Sequence, residues 1–161
     1  MGLFDFMKGK KELTLGAPVK GECIPIGEVA DPTFADEILG KGMAIRPSDG
    51  RVYAPADGKI STVFPTGHAV GLTTADGAEL LIHVGLDTVQ LKGKHFQALV
   101  QADQQVKKGD LLLEADLEAI RGEGYDTVIP MIICNSDEFS DIKCKTEGTA
   151  DIGEQVMTYS K

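Results

Sequence analysis

Short apolar runs, each closed by a turn signal within a few residues, limit most strongly what this chain can fold into. Asp49-Gly50, Asp57-Gly58, Asp76-Gly77 and Gly109-Asp110 punctuate apolar segments around Val19 to Ile26, Met43 to Ile45, Val52 to Ala54, Ile60 to Phe64, Ala69 to Thr73 and Leu80 to Val84. More follow at Leu111 to Leu113, Val128 to Ile133 and Val156 to Tyr159. Runs this short suit strands, and Asp-Gly pairs supply the left-handed backbone of tight turns. The 19 glycines and 7 prolines are spread along the chain, so the punctuation continues to the end. The pattern predicts an all-β domain, an antiparallel β-sandwich or barrel-like sheet with short helical segments. One helical piece runs from Phe34 to Leu39 and stops at Gly40. The other runs from Leu117 to Arg121, with Asp116 as N-cap and Gly122 as stop. Ala17-Pro18-Val19-Lys20-Gly21 is echoed by Ala54-Pro55-Ala56-Asp57-Gly58. A duplicated β unit and repeated use of cheap turn chemistry both account for the echo.

A chain of 161 residues can bury one sizeable core. Residues 13–161 read as one domain, and residues 1–12 as a tail. In the tail, Leu3, Phe6 and Met7 share a helical face ahead of Lys8, Lys10 and Lys11. That is the pattern of an amphipathic foot making peripheral membrane contact, or of a terminus that is disordered or docked on its own domain. The first residues carry no basic region followed by a long apolar stretch, which argues against a secretory signal. Gly2 is followed by Phe6 where a myristoylation motif wants Ser or Thr. No CxxC pair joins Cys23, Cys134 and Cys144. An odd set of thiols suits a reducing cytoplasm, and Cys134, inside an apolar run, reads as a small core residue. The net charge of −9 argues against nucleic acid and favours a partner with a basic face.

His68 and His83 flank an apparent hairpin through Asp76-Gly77. With a two-residue turn, Ala75 faces Ala78 and Val70 lies opposite His83. His68 then shares Val70's face and is the diagonal neighbour of His83. A one-residue slip would separate them. Leu80, Ile82 and Val84 point to the core in this register, while Leu81, His83, Val70 and Leu72 form an apolar surface. Two close imidazoles can bind a metal, act as bases, or pair a phosphorus nucleophile with a phosphate binder. They can also be satisfied core or surface residues. His95, in the polar segment Lys92-Gly93-Lys94-His95, reads as a solvated surface histidine.

The segment from Gly77 through His83-Val84-Gly85-Leu86-Asp87-Thr88 to Val89 resembles the active-site signature of the glucose-family enzyme IIA of the bacterial sugar phosphotransferase system. Thr66-Gly67-His68-Ala69 resembles that family's second histidine motif. Ala54-Pro55-Ala56-Asp57-Gly58, Phe34-Ala35 followed by Gly40, and Asn135-Ser136-Asp137 extend the likeness over nearly the whole chain from Leu13. The resemblance implies a β-sandwich phosphocarrier in the cytoplasm that works without a cofactor. His83 would carry the phosphoryl group, His68 would bind it, and Thr66 would support the site through its hydroxyl. The donor would be the phosphorylated carrier HPr, and the acceptor a cysteine of a sugar-specific IIB domain in a IIB/IIC permease. Phe34, Ile38, Leu39, Phe64, Val70 and Val89 match an apolar docking ring, with Asp31 and Asp87 as acidic rim positions. Gly67 and Gly71 depart from the family pattern.

Two other classes compete. A zinc hydrolase would need a third ligand, and neither His68 nor His83 carries a His-x-His element. A regulator would bind target proteins through the apolar face, and phosphate on His83 would oppose that binding.

Overall fold

A computed structural model of the chain describes residues 12–161. The tail through Lys11, and with it the membrane-foot reading, lies outside the described residues; Glu12 already belongs to the first strand. Among the described residues fourteen strands form: β1 Glu12–Gly16, β2 Gly21–Pro25, β3 Lys41–Pro47, β4 Arg51–Tyr53, β5 Gly58–Val63, β6 Ala69–Thr74 and β7 Glu79–His83. They continue as β8 Phe96–Ala98, β9 Gln105–Val106, β10 Leu111–Ala115, β11 Ile129–Ile133, β12 Ser140–Cys144, β13 Thr149–Ala150 and β14 Gln155–Ser160. The helices are short, α1 at Pro32–Ala35 and α2 at Leu117–Gly122. The Asp116 carboxylate accepts from Ala119 N–H and caps α2 as expected. The first helical piece starts earlier than its apolar residues suggest, because Asp31 accepts from Thr33 N–H and Pro32 supplies the first turn.

An eight-stranded sheet runs β13-β2-β3-β11-β7-β6-β5-β9, and two three-stranded sheets run β1-β14-β12 and β4-β10-β8. All pairings are antiparallel. The large sheet packs its inner face, including Met43, Ile45, Ile60, Leu72, Ile82 and Met131, against Leu15, Leu112, Leu113 and Tyr159 of the smaller sheets. The expected β-sandwich architecture is therefore present.

The two Ala-Pro bends sit in equivalent surroundings. Ala17 N–H bonds to Glu154 O at 2.7 Å, and Ala54 N–H to Asp110 O at 2.8 Å. Ala17 O accepts from Gly153 N–H at 3.0 Å, and Ala54 O from Gly109 N–H at 2.9 Å. The two bends also exchange bonds, Gly16 N–H to Pro55 O and Tyr53 N–H to Pro18 O. The halves meet at β7 and β11, where Gly85 N–H bonds to Val128 O and Cys134 N–H to Glu79 O. Through these equivalent bonds and pairings, His83 corresponds to Ile132 and His68 to Lys41. Only one half carries the histidine chemistry.

A second, smaller apolar cluster covers the opposite face of the large sheet: Ile24, Val29, Phe34, Leu86, Val128 and Ile132 are among its members. Phe34 is buried there at 4% exposure, so it is not an open docking residue. Phe34→Ala should cost about 3 kcal/mol of folding stability, because it leaves a cavity in a small cluster. Urea denaturation checks this, and a loss below about 1 kcal/mol would return Phe34 to the surface.

Candidate functional site

His83 ends β7, and His68 immediately precedes β6. The hairpin between them is not the two-residue turn its Asp-Gly pair suggests. Thr74 N–H bonds to Ala78 O, and the Thr74 hydroxyl accepts from Ala78 N–H, leaving a three-residue loop of Ala75, Asp76 and Gly77. Gly77 takes the left-handed position at φ 92°, as such loops require. The register moves by one residue: Ala69 pairs with His83, and Val70 with Ile82. Val70 and Leu72 therefore enter the core with Leu80 and Ile82, so Val70 has no surface to offer a partner. The outer face instead carries Ala69, Gly71 and Thr73 beside Leu81 and His83.

The two histidines meet despite the slip. His68 stands outside β6 next to Gly67, which is left-handed at φ 72°, so strand alternation does not dictate where its ring goes. Its carbonyl accepts from Val84 N–H at 2.7 Å, which holds the two chain segments together. The rings lie 4.8 Å apart between centroids, nearly perpendicular at 79°.

Each ring is fixed by a different neighbour. His83 Nδ1 donates to the Gly85 carbonyl at 2.7 Å, which assigns the proton to Nδ1 and leaves Nε2 with a free lone pair. Gly85 is left-handed at φ 80°, and a Cβ there would stand 2.8 Å from Asp126 O, so the position demands glycine. His68 Nδ1 hydrogen-bonds the Thr66 hydroxyl. Phe64 meets the His68 ring edge-on at 5.3 Å, Phe96 lies 6.3 Å from it, and Phe34 lies 5.2 Å from His83.

His68 is 2% exposed, while His83 is partly open. Burial, reinforced by the neighbouring His83, pushes the His68 pKa down to about 4. Burial also lowers that of His83, against the Gly85 hydrogen bond and the negative charges of Asp31 and Asp87. Both rings are neutral at pH 7. Their folded forms bind fewer protons than the unfolded chain, so stability is complete above about pH 6.5 and falls on acidification. The His68 share, up to about 3 kcal/mol, should be gone by about pH 4. Denaturation of the wild type and His68→Gln across this window checks it. Parallel pH curves would mean that His68 carries no such penalty.

Of the sequence-read docking ring, Ile38 is 69% exposed, Val89 47% and Leu39 38%. Phe64 is half-buried against His68, Asp31 is half-buried and Asp87 is exposed. Thus three members of the sequence-read apolar ring are open surface, Phe64 is partly so, and Phe34 and Val70 are buried. Gly85, whose carbonyl orients His83, and Phe96 were not singled out in the sequence. A glycine two residues after the signature histidine was the available signal for the first; a lone aromatic in a polar loop gave none for the second. Cys134 is exposed rather than core, because the chain leaves β11 at Ile133. His95 is not simply solvated, since its Nε2 pairs with Glu123. Among the described residues, no cluster of three or more His, Cys, Asp or Glu side chains is arranged to hold a metal ion. No described helix is long and apolar enough to cross a membrane.

Known proteins show the same arrangement of sequence and fold. The sequence model of the family described as "phosphoenolpyruvate-dependent sugar phosphotransferase system, EIIA 1" matches residues 13–139. A glucose-specific EIIA component of Staphylococcus epidermidis is 46% identical over 132 residues, 82% of this chain and 80% of that protein. A β-glucoside-specific EIIBCA component of Dickeya chrysanthemi is 46% identical over 141 residues, 88% of this chain; the chain spans only 22% of that protein's length. The solved structure of glucose permease IIA from Mycoplasma capricolum superposes with a TM-score of 0.83 at 36% identity, covering 92% of this chain and 96% of that one.

Proposed function

The chain belongs to the EIIA 1 family of the phosphoenolpyruvate-dependent sugar phosphotransferase system, and on that basis we propose that it carries a phosphoryl group on His83 Nε2 between two other proteins. The observation that supports this most is the tautomer of His83. Its Nδ1–H is committed to Gly85 O, so the neutral ring presents Nε2 as a nucleophile.

In the accepting step, the Nε2 lone pair attacks phosphorus while the bond to the donor's leaving atom breaks in line. Nδ1–H stays on the Gly85 carbonyl and stabilises the positive charge that develops on the ring. The Thr66 hydroxyl holds His68 Nδ1 in a hydrogen bond; donated from the hydroxyl, that bond would put the His68 proton on Nε2, available to a phosphoryl oxygen. Donation reverses the sequence, with the acceptor's nucleophile forming the new bond to phosphorus.

The charges around the site favour a protein donor. Asp31 and Asp87 repel a free phosphate anion, and a basic partner surface would neutralise them. HPr is the donor that this reading names, and a IIB cysteine the acceptor. Ile38, Leu39, Phe64 and Val89 supply the apolar contact, with Asp31 and Asp87 at its rim. The exposed apolar residues also support a regulatory role, because a dianion on His83 would oppose docking of an apolar partner on this face. A cytoplasmic setting fits such partners.

Incubation with phosphoenolpyruvate, enzyme I and HPr, followed by peptide mapping under alkaline conditions, tests the proposal. The expected product is a single phosphate on the peptide containing His83. A phosphate on the His68 peptide, or none, would overturn it.

A further inference from the structure

We propose that His95 and Glu123 form a latch that positions His68 from behind the phosphoryl site. This builds on the role given to His68 above. His95 has a left-handed backbone at φ 75°, an uncommon conformation for any residue with a side chain. It is clamped by both ends of α2. Asp116 N–H, just before the helix, bonds to the His95 carbonyl at 2.9 Å, and Glu123, just after it, takes the ring nitrogen Nε2. Lys94 Nζ shares the same carboxylate at 3.5 Å. A strained backbone held from two sides indicates that the position is being enforced.

The next residue carries that constraint to the site. Phe96 begins β8, paired with Ala115, and its ring faces His68. The Phe96 Cβ lies only 3.3 Å from where a Cβ on Gly67 would stand, so Phe96 packs beside the Thr66-Gly67-His68 turn. Gly93, at φ 91°, closes the same loop beneath Thr66. A small shift of the latch thus moves the wall on which the His68 ring rests. Neither His95 nor Glu123 approaches the reacting atoms, so both are positioning residues.

The test uses the full chain labelled with 15N-histidine. His95→Gly suits the left-handed backbone and removes only the ring, and Glu123→Ala removes the carboxylate. Both should shift or broaden the His68 ring signals, while Lys20→Ala in the opposite half leaves them in place. Glu123→Gln keeps an acceptor for His95 and should restore most of the wild-type spectrum. Donation of phosphate from the phosphorylated His95→Gly protein should slow by about tenfold, the scale expected for a small misplacement of a group that binds the reacting phosphate. His68 signals that coincide with the wild type in both His95→Gly and Glu123→Ala would overturn the latch. Should His95→Gly fold poorly, Glu123→Ala and Glu123→Gln decide the matter, because that side chain is partly solvated at a helix end. Displaced His68 signals together with normal donation by His68→Gln would retain the latch and remove the catalytic role of His68.

Discussion

His83→Ala is expected to abolish phosphoryl acceptance, with a folded protein left behind. No other side chain at the site offers an equivalent nucleophile. His68 is neutral and 2% exposed, and its Nδ1 is engaged by Thr66, so its ring is poorly placed to meet an incoming donor. His83 lies at a strand end and is partly open, so its removal should cost little stability. Burial lowers its pKa, and truncation also removes a desolvated group that resists protonation. Radiolabelled phosphate transfer from HPr and a thermal melt together check this. A label persisting at even a tenth of the wild-type extent would place the acceptor elsewhere. Gly85→Ala should resemble this variant in activity while losing more stability, because it displaces the carbonyl that sets the His83 tautomer and introduces a Cβ close to Asp126 O.

His68→Gln should separate the two halves of the reaction. Gln keeps a hydrogen-bond donor of similar reach but cannot become cationic. At rest, burial and His83 hold the His68 pKa at about 4, so the ring is neutral. A phosphoryl dianion on His83 reverses the electrostatics, since a nearby opposite charge favours protonation. His68 can then strengthen its hydrogen bond as charge builds on the group in flight. On the proposed relay, a protein donor that supplies its own hydrogen bonds would depend little on His68, whereas transfer to an anionic cysteine acceptor would bring further negative charge and depend more on this site. Acceptance should therefore stay within about threefold of wild type, and donation to IIB should fall by about 10²-fold, the scale of losing one transition-state hydrogen bond. Rapid-quench measurement of each half-reaction decides. A collapse in acceptance with normal donation would mean that His68 acts on the incoming phosphate instead.

Features set by neighbours in sequence were readable in advance. Asp116 capped its helix because an N-cap is satisfied within one turn. The alternation of Leu80, Ile82 and Val84 pointed correctly to the core, because a strand's period is two whatever lies beside it. The repeated Ala-Pro bends marked two equivalent turns, although their sequence could not reveal that they hydrogen-bond one another. Asp76-Gly77 was compatible with two hairpin lengths. The choice rested on the Thr74 hydroxyl reaching Ala78 N–H, and that single residue of register moved Val70 from the docking face into the core.

The sequence by itself determined the β architecture and the turn positions, since these follow from local conformational preference, and its family signature singled out His68 and His83. Tertiary structure alone decided which side chains surround those rings. Phe34 is buried because the loop after β2 folds over the outer face of the sheet. His68 reaches His83 because Gly67 releases it from strand alternation. Phe96, His95 and Glu123 come together behind it because α2 spans from one to another. Exposure, tautomer and pKa are properties of that enclosure, summed over atoms distant in the chain, and no local pattern encodes the sum.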